Sequence, residues 1–180
     1  WKGKVCIRSG QHPYNTALFA DYIAHHGAEE TEKWLAGVKA NLARKAAGGD
    51  RDVAKDILGG ICDIGIANSY YVGLMKSGKG GEEQVKWAEA IKVVLPTFKD
   101  GGTQVNISGA AVAKHSPNKA DAVKFLEYLV SDEAQKIYAE ANYEYPVKVN
   151  VAADPIIASF GELKIDSKPL SEVVSHRKQA

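Results

Sequence analysis

Two short apolar runs, Lys4-Val5-Cys6-Ile7 and Ile61-Cys62-Asp63-Ile64-Gly65-Ile66, constrain the fold of this chain more than anything else in it. Each has the length and the β-branched content of a buried strand. The residues between them read as helices. Leu18, Phe19, Tyr22 and Ile23 recur at helical spacing in a segment that ends at Gly27. Trp34, Leu35, Val38 and Leu42 stripe a second helix from about Glu29 to Arg44. Asp50 is a suitable N-cap for a third helix, and Gly59-Gly60 stops it after Leu58. Strand, helices, strand at this spacing predicts an α/β layer with parallel strands. In open sheets of that kind, ligands bind beyond the carboxyl ends of the strands. The two loops at such ends are 8–15 and 68–71.

The second of these loops holds Asn68-Ser69-Tyr70-Tyr71. A strand sends successive side chains to opposite faces, so neighbouring phenols converge only where the strand has ended and the backbone has turned. Phenolate is a hard, anionic oxygen donor, suited to a hard, highly charged cation. The plainer alternative is a pair of half-buried aromatics capping the sheet. Other polar residues read more simply. His12 sits in the first loop as a solvated side chain. His25-His26 falls at a helix end, where imidazole suits the helix dipole, and reads as capping rather than ligation. Arg8 and Ser9 could hold an anion near a helix N-terminus, or Arg8 could pair with an acidic residue. Tyr143 and Tyr145 read as packing.

Downstream, the chain reads as a short helix at 72–77, a flexible turn at 77–81 and a strand at Ile91–Pro96. A longer extended segment, Thr103–Val112, is interrupted by Gly109. Helices follow from Asn118 and from Ser131, the latter with a cap-like start, and another begins after Pro169. Lys+Arg 23 against Asp+Glu 22 leaves a net charge of +1, so no global field draws this chain to nucleic acid or an anionic membrane. No apolar run is long enough to span a bilayer. No basic-then-apolar segment of the signal type is visible, and Trp1–Val5 reads as the lead-in to a strand and not as a natural start. There is no GxSxG, no phosphate loop and no nucleophile beside a base, so nothing points to an enzyme. Cys6 and Cys62 form no CxxC pair, and no His lies at metal-finger spacing, which argues against structural zinc. They are either two reduced core thiols or, in an exported protein, one disulfide. Neighbouring strands of one sheet would bring them within bridging distance.

Several segments taken together resemble a known family. They are Gly3-Lys4-Val5-Cys6-Ile7-Arg8-Ser9, Pro13-Tyr14-Asn15, Asp63 to Tyr71, Val105-Asn106-Ile107-Ser108-Gly109-Ala110-Ala111-Val112, and Glu133-Ala134-Gln135-Lys136 leading to Glu144-Tyr145-Pro146. The pattern is similar to the periplasmic ferric-ion-binding proteins of bacterial iron ABC transporters, in the subgroup that uses several tyrosines. The resemblance implies an α/β, periplasmic-binding-protein-like (type II) fold of two lobes, with Fe(III) and a synergistic anion in the cleft. It implies Tyr70 and Tyr71 as ligands, Tyr14 as a third phenolate, and Asn68 beside the metal or its partner anion. It implies a periplasmic protein, monomeric when intact, that delivers iron to a permease in the inner membrane. The runner-up is a receptor of the same fold for another small solute, an oxyanion or a polyamine. Family members are longer, and a preceding stretch carries most of their N-terminal lobe and the other ligands. The expectation is therefore a chain made mainly of the C-terminal lobe, with residues 1–102 in that lobe, 103–148 crossing to the other, and 149–180 returning.

Overall fold

The structure is a computed structural model that describes residues 1–180. From the N-terminus, β1 (Val5–Ile7) leads into α1 (Pro13–His26), α2 (Ala28–Ala40) and α3 (Asp50–Leu58), and then β2 (Ile64–Ile66). Next come α4 (Ser69–Lys76) and α5 (Glu82–Glu89). A long extended stretch separates these from α6 (Lys119–Leu129) and α7 (Asp132–Asn142), and the short α8 (Pro155–Ala158) and α9 (Leu170–Ser175) complete the order. No helix is long and apolar enough to cross a membrane.

β1 and β2 pair in parallel, with Val5 opposite Ile64, Cys6 opposite Gly65 and Ile7 opposite Ile66. Leu42 bridges to Val5 in the same sense. That bridge explains why α2 stops at Ala40 and not near Arg44. The Asn41 carbonyl accepts from the backbone N–H of Lys4 and of Val5, and Ala43 N–H donates to the Val5 carbonyl at 2.8 Å. Pairing with β1 replaces another helical turn. Cys6 and Cys62 are joined by a disulfide with their Cα atoms 5.9 Å apart, so the bridge, and not two reduced thiols, is what this fold adopts.

The helix laid on this sheet is α3. Val53 and Ile57 pack on the disulfide, and Gly65 is the point of closest approach. A Cβ on Gly65 would lie 2.3 Å from Val53 Cγ1, so α3 can reach β2 only over a glycine. A second apolar cluster joins Ala54 of α3 to Val72, Met75 and Ala88, with Trp87, Ile91, Val93 and Phe160 around it. Ile91–Pro96 forms no strand: Ile91 and Val93 pack on this cluster without a ladder partner. The helix that precedes it, α5, carries no obvious sequence signal and is fixed by Trp87 and Ala88.

The C-terminal elements return to the start of the chain. α9 packs on α1, and α8 packs on α4. α7 also meets α4 at its C-terminal end, where buried Tyr143 adopts a left-handed φ of 59° over Gly73. Its N-cap, Ser131, accepts from Ala134 N–H at 3.2 Å, as its sequence predicts. α6 packs on α7 but has no buried residue; Phe125 is 59% exposed.

Candidate metal centre

Two strand-to-helix junctions meet at the carboxyl edge of the β1–β2 pair. The first runs from β1 through Arg8–His12 into α1. Pro13 occupies the opening position of α1, where its missing N–H costs nothing. His12 is the N-cap, and its Nδ1 accepts from Tyr14 N–H at 3.3 Å, so it is a structural cap and not a solvated loop side chain. Buried Asn15 donates from Nδ2 to the carbonyls of Arg8 and Ser9 at 3.2 and 3.0 Å, which fixes the loop. Tyr14 therefore lies in the first turn of a helix.

The second junction runs from β2 through Asn68 into α4. Sequence placed Tyr70 and Tyr71 in a loop; both lie in the first turn of α4. The adjacent phenols turn toward each other, with ring centroids 4.2 Å apart and planes at 31°. The Tyr70 hydroxyl donates to the Tyr14 hydroxyl at 3.2 Å. Three tyrosines from two helix N-termini are thus brought together. Both helices point the positive end of their dipole at the phenols, which favours negative charge there.

Charged groups frame the cluster. The Arg8 guanidinium lies 5.3 Å from the Tyr14 ring centroid, and that of Arg51 lies 5.4 Å from the Tyr71 ring centroid. Arg8 pairs with Asp50 at 2.5 Å, and the Asp50 side chain has no exposed surface. The other Asp50 oxygen accepts from the Asn68 N–H at 2.7 Å and from Asn68 Nδ2 at 3.0 Å. Asn68 Oδ1 in turn accepts from Asn106 Nδ2 at 2.9 Å. Asp50 is therefore the keystone between both junctions, a role sequence reading missed by assigning it only to an N-cap. The N-cap position itself is Gly49.

Burial pushes the Tyr70 phenol well above the ordinary tyrosine range, and the hydroxyls of Tyr14 and Tyr71 push it the same way. The Tyr70 phenol is accordingly neutral by itself. It becomes anionic only when a cation supplies the field that removes the proton, as metals do for bound water and thiols. Oxygen donors of this hardness select a hard ion.

A family model for bacterial extracellular solute-binding proteins matches residues 1–159. The chain belongs to that family. Among curated relatives, the iron uptake protein A2 of Synechocystis is 43% identical over 176 residues, covering 96% of this chain and 50% of that protein. The major ferric iron-binding protein of Neisseria meningitidis serogroup B is 28% identical over 156 residues, 85% of this chain and 44% of that one. Among solved structures, a Bordetella ferric binding protein superposes with a TM-score of 0.92 at 72% identity, over 99% of this chain and 57% of that chain. A Trichodesmium protein in complex with iron and citrate gives 0.92 at 42%, over 99% and 56%. This solute-binding protein spans about half the length of the curated relatives it matches. The agreement in fold extends over the whole chain and makes the two parallel strands part of the larger type II architecture.

Proposed function

We propose that this chain captures Fe(III) through the phenolates of Tyr14, Tyr70 and Tyr71, as part of a periplasmic protein that hands iron to an ABC permease of the inner membrane. The single observation that carries the reading is the meeting of Tyr70 and Tyr14 hydroxyls at 3.2 Å, with the Tyr71 ring tilted against that of Tyr70, at two helix N-termini. The names of the relatives from Synechocystis, Neisseria and Bordetella agree with it.

Each phenol gives up a proton to bind the ion. Capture therefore releases protons, and acidification reverses it. Three phenolates neutralise a trivalent charge and favour Fe(III) over Fe(II), so reduction is a second route of release. Asp50 orients the start of α4 through Asn68 and keeps the Arg8 charge compensated. A synergistic anion would meet Arg51, which has no carboxylate partner. In the lobe division proposed from sequence, the return of 149–180 to the body of 1–102 is supported by the packing of α9 on α1 and α8 on α4, while α7 of the 103–148 segment also meets α4 through Tyr143 and Gly73.

The two arginines beside the phenols favour an oxyanion over a polyamine as the runner-up solute. A ferric titration followed in the visible separates the readings, because only direct phenolate–Fe(III) bonding produces a charge-transfer band. The band should vanish in Tyr70→Phe with Tyr71→Phe and weaken or shift in Tyr14→Phe. An unchanged band in the double variant sinks the proposal.

A further inference from the structure

We propose that Asp21 Oδ1, His25 Nε2 and Asp166 Oδ2 form a second cation site, for a small divalent ion of the zinc and cobalt class, at the opposite end of α1 from the tyrosines. Tyr14 and His25 are separated by about 16 Å along the helix axis, so this site is separate from the phenol cluster.

The geometry is that of a donor set waiting for an ion. Asp21 and His25 are four apart on α1 and share one face. His25 Nε2 lies 3.0 Å from Asp166 Oδ2 and 3.9 Å from Asp21 Oδ1, and all three donor atoms fall within 4.8 Å of one another. Ligand atoms bound tetrahedrally to zinc are about 3.4 Å apart, given bonds of about 2.0–2.2 Å. The observed spacings bracket that value.

The decisive atom is Asp21 Oδ1. Asp21 is 3% exposed, yet this oxygen is buried without any hydrogen-bond partner. A buried carboxylate oxygen facing a second carboxylate and no donor is costly unless a cation or proton sits there. The ring of His25 is 1% exposed, and its other nitrogen, Nδ1, is held by Asp100 at 2.8 Å. A carboxylate on the remote nitrogen fixes the imidazole and raises its basicity, which is the usual support for a metal-bound histidine. Asp166 is fixed in the same way: its Oδ1 accepts from Gly102 N–H and its Oδ2 from Lys168 N–H, both at 3.2 Å.

The surrounding chain is shaped to allow this. A Cβ on Gly101 would lie 2.2 Å from Asp166 Oδ1 and 2.8 Å from His25 Cε1, and one on Gly102 would strike the Lys164 carbonyl. The Gly101-Gly102 pair thus lets the 100–103 segment close on the histidine while Thr103 bridges to Ile165. One imidazole with two carboxylates suits zinc, cobalt or manganese, whereas the all-oxygen phenol set suits a harder ion. An ion here would pin the end of α1 to two segments distant in sequence.

The test is a Co(II) titration of the chain, read as ligand-field absorption of tetrahedral intensity, with Zn(II) displacing the band. Zn(II) should also raise the melting temperature. Asp21→Asn keeps the shape and removes no hydrogen bond from Oδ1; it should weaken Co(II) binding by more than about tenfold and abolish the thermal shift. Asp100→Asn, which acts only through the ring, should weaken binding about tenfold. The Tyr70→Phe, Tyr71→Phe variant should keep the Co(II) band. The proposal is overturned if wild type gives neither band nor thermal shift, if both survive Asp21→Asn, or if the tyrosine variant loses them.

Discussion

Replacing Asp50 tests whether the tyrosine cluster is positioned by one buried carboxylate. Its side chain has no exposed surface, and it serves three donors: Arg8 at 2.5 Å, and the N–H and Nδ2 of Asn68 at 2.7 and 3.0 Å. Arg8 is itself only 13% exposed. Asp50→Ala strands that guanidinium and leaves both Asn68 donors unpaired. Breaking one side of a buried ion pair costs about 3–5 kcal/mol. Against a typical native stability of about 5–15 kcal/mol, that is a large fraction. Asp50→Asn keeps the volume and one acceptor for Asn68 but turns an amide toward Arg8. Its cost should be about 2 kcal/mol, the worth of a charge-assisted hydrogen bond. The assay is urea unfolding, with m unchanged and the midpoint lowered. Arg8→Ala and the double variant complete a cycle in which the pair couples by more than about 1 kcal/mol. Ferric affinity should fall in Asp50→Ala, because Asn68 no longer anchors the start of α4, and fall less in Asp50→Asn, which keeps an acceptor for Asn68. Asp50→Ala within about 1 kcal/mol of wild type, or additive effects with Arg8→Ala, would refute the keystone role.

Three further outcomes follow from other parts of the structure. Cys6 and Cys62 are 56 residues apart, and opening a loop of that size returns about 4 kcal/mol of chain entropy to the unfolded state; a reductant should lower the urea midpoint accordingly, and have no effect in the Cys6→Ala, Cys62→Ala variant. A Cβ on Gly73 would lie 2.6 Å from Tyr143 Cβ and 3.0 Å from Ile157 Cδ1, so Gly73→Ala should cost about 1–3 kcal/mol in thermal unfolding by overpacking. In chelator-treated protein, His25 sets an alkaline limb: burial lowers its pKa, but hydrogen bonds to Asp166 and Asp100 outweigh this and hold it above its ordinary 6.5. The stability it adds is complete below 6.5 and is lost as pH rises through the folded value, so urea midpoints should fall above neutrality in wild type but stay level in His25→Gln. Asp21, pushed up to about 6 first by burial and then by the Asp166 charge, adds a loss between 3.8 and about 6 that Asp21→Asn should remove.

The parallel pair and the helices between its strands were legible because their signals are local: apolar runs of strand length, helical spacing, and glycine stops. The misread elements are those decided by distant partners. Ser69–Lys76 contains two tyrosines, a valine and a glycine, all weak helix formers, and reads as a loop at 68–71 followed by a short helix at 72–77, so its first turn was missed. It is helical because Val72 and Met75 enter a core with Ala54 and Ala88, and Gly73 admits Tyr143. The same core explains the false strand at 91–96, whose apolar residues are consumed by packing and not by pairing. α2 lost its last predicted turn to a bridge with a strand more than thirty residues earlier.

The site divides along the same line. The adjacent pair Tyr70-Tyr71 stands out at a strand exit, but it was the resemblance to the ferric-ion-binding proteins that named the pair, and Tyr14 with it, as ligands. Asp50 and His25 carry no such mark, since an aspartate before a helix and a histidine near its end have ordinary capping explanations. What sets them apart is who meets them: Arg8 across 42 residues, Asp166 across 141. Helix α1 then links the two ends of the molecule's chemistry. Its first turn offers Tyr14 to a place where the helix dipole favours an anion, and its last two turns offer Asp21 and His25 where the dipole favours a cation. The one helix therefore supports a phenolate at its start and a bound or shared positive charge near its end. A basic residue at Tyr14 would work against the dipole at that end, whereas the carboxylates around His25 require the positive charge that the other end favours.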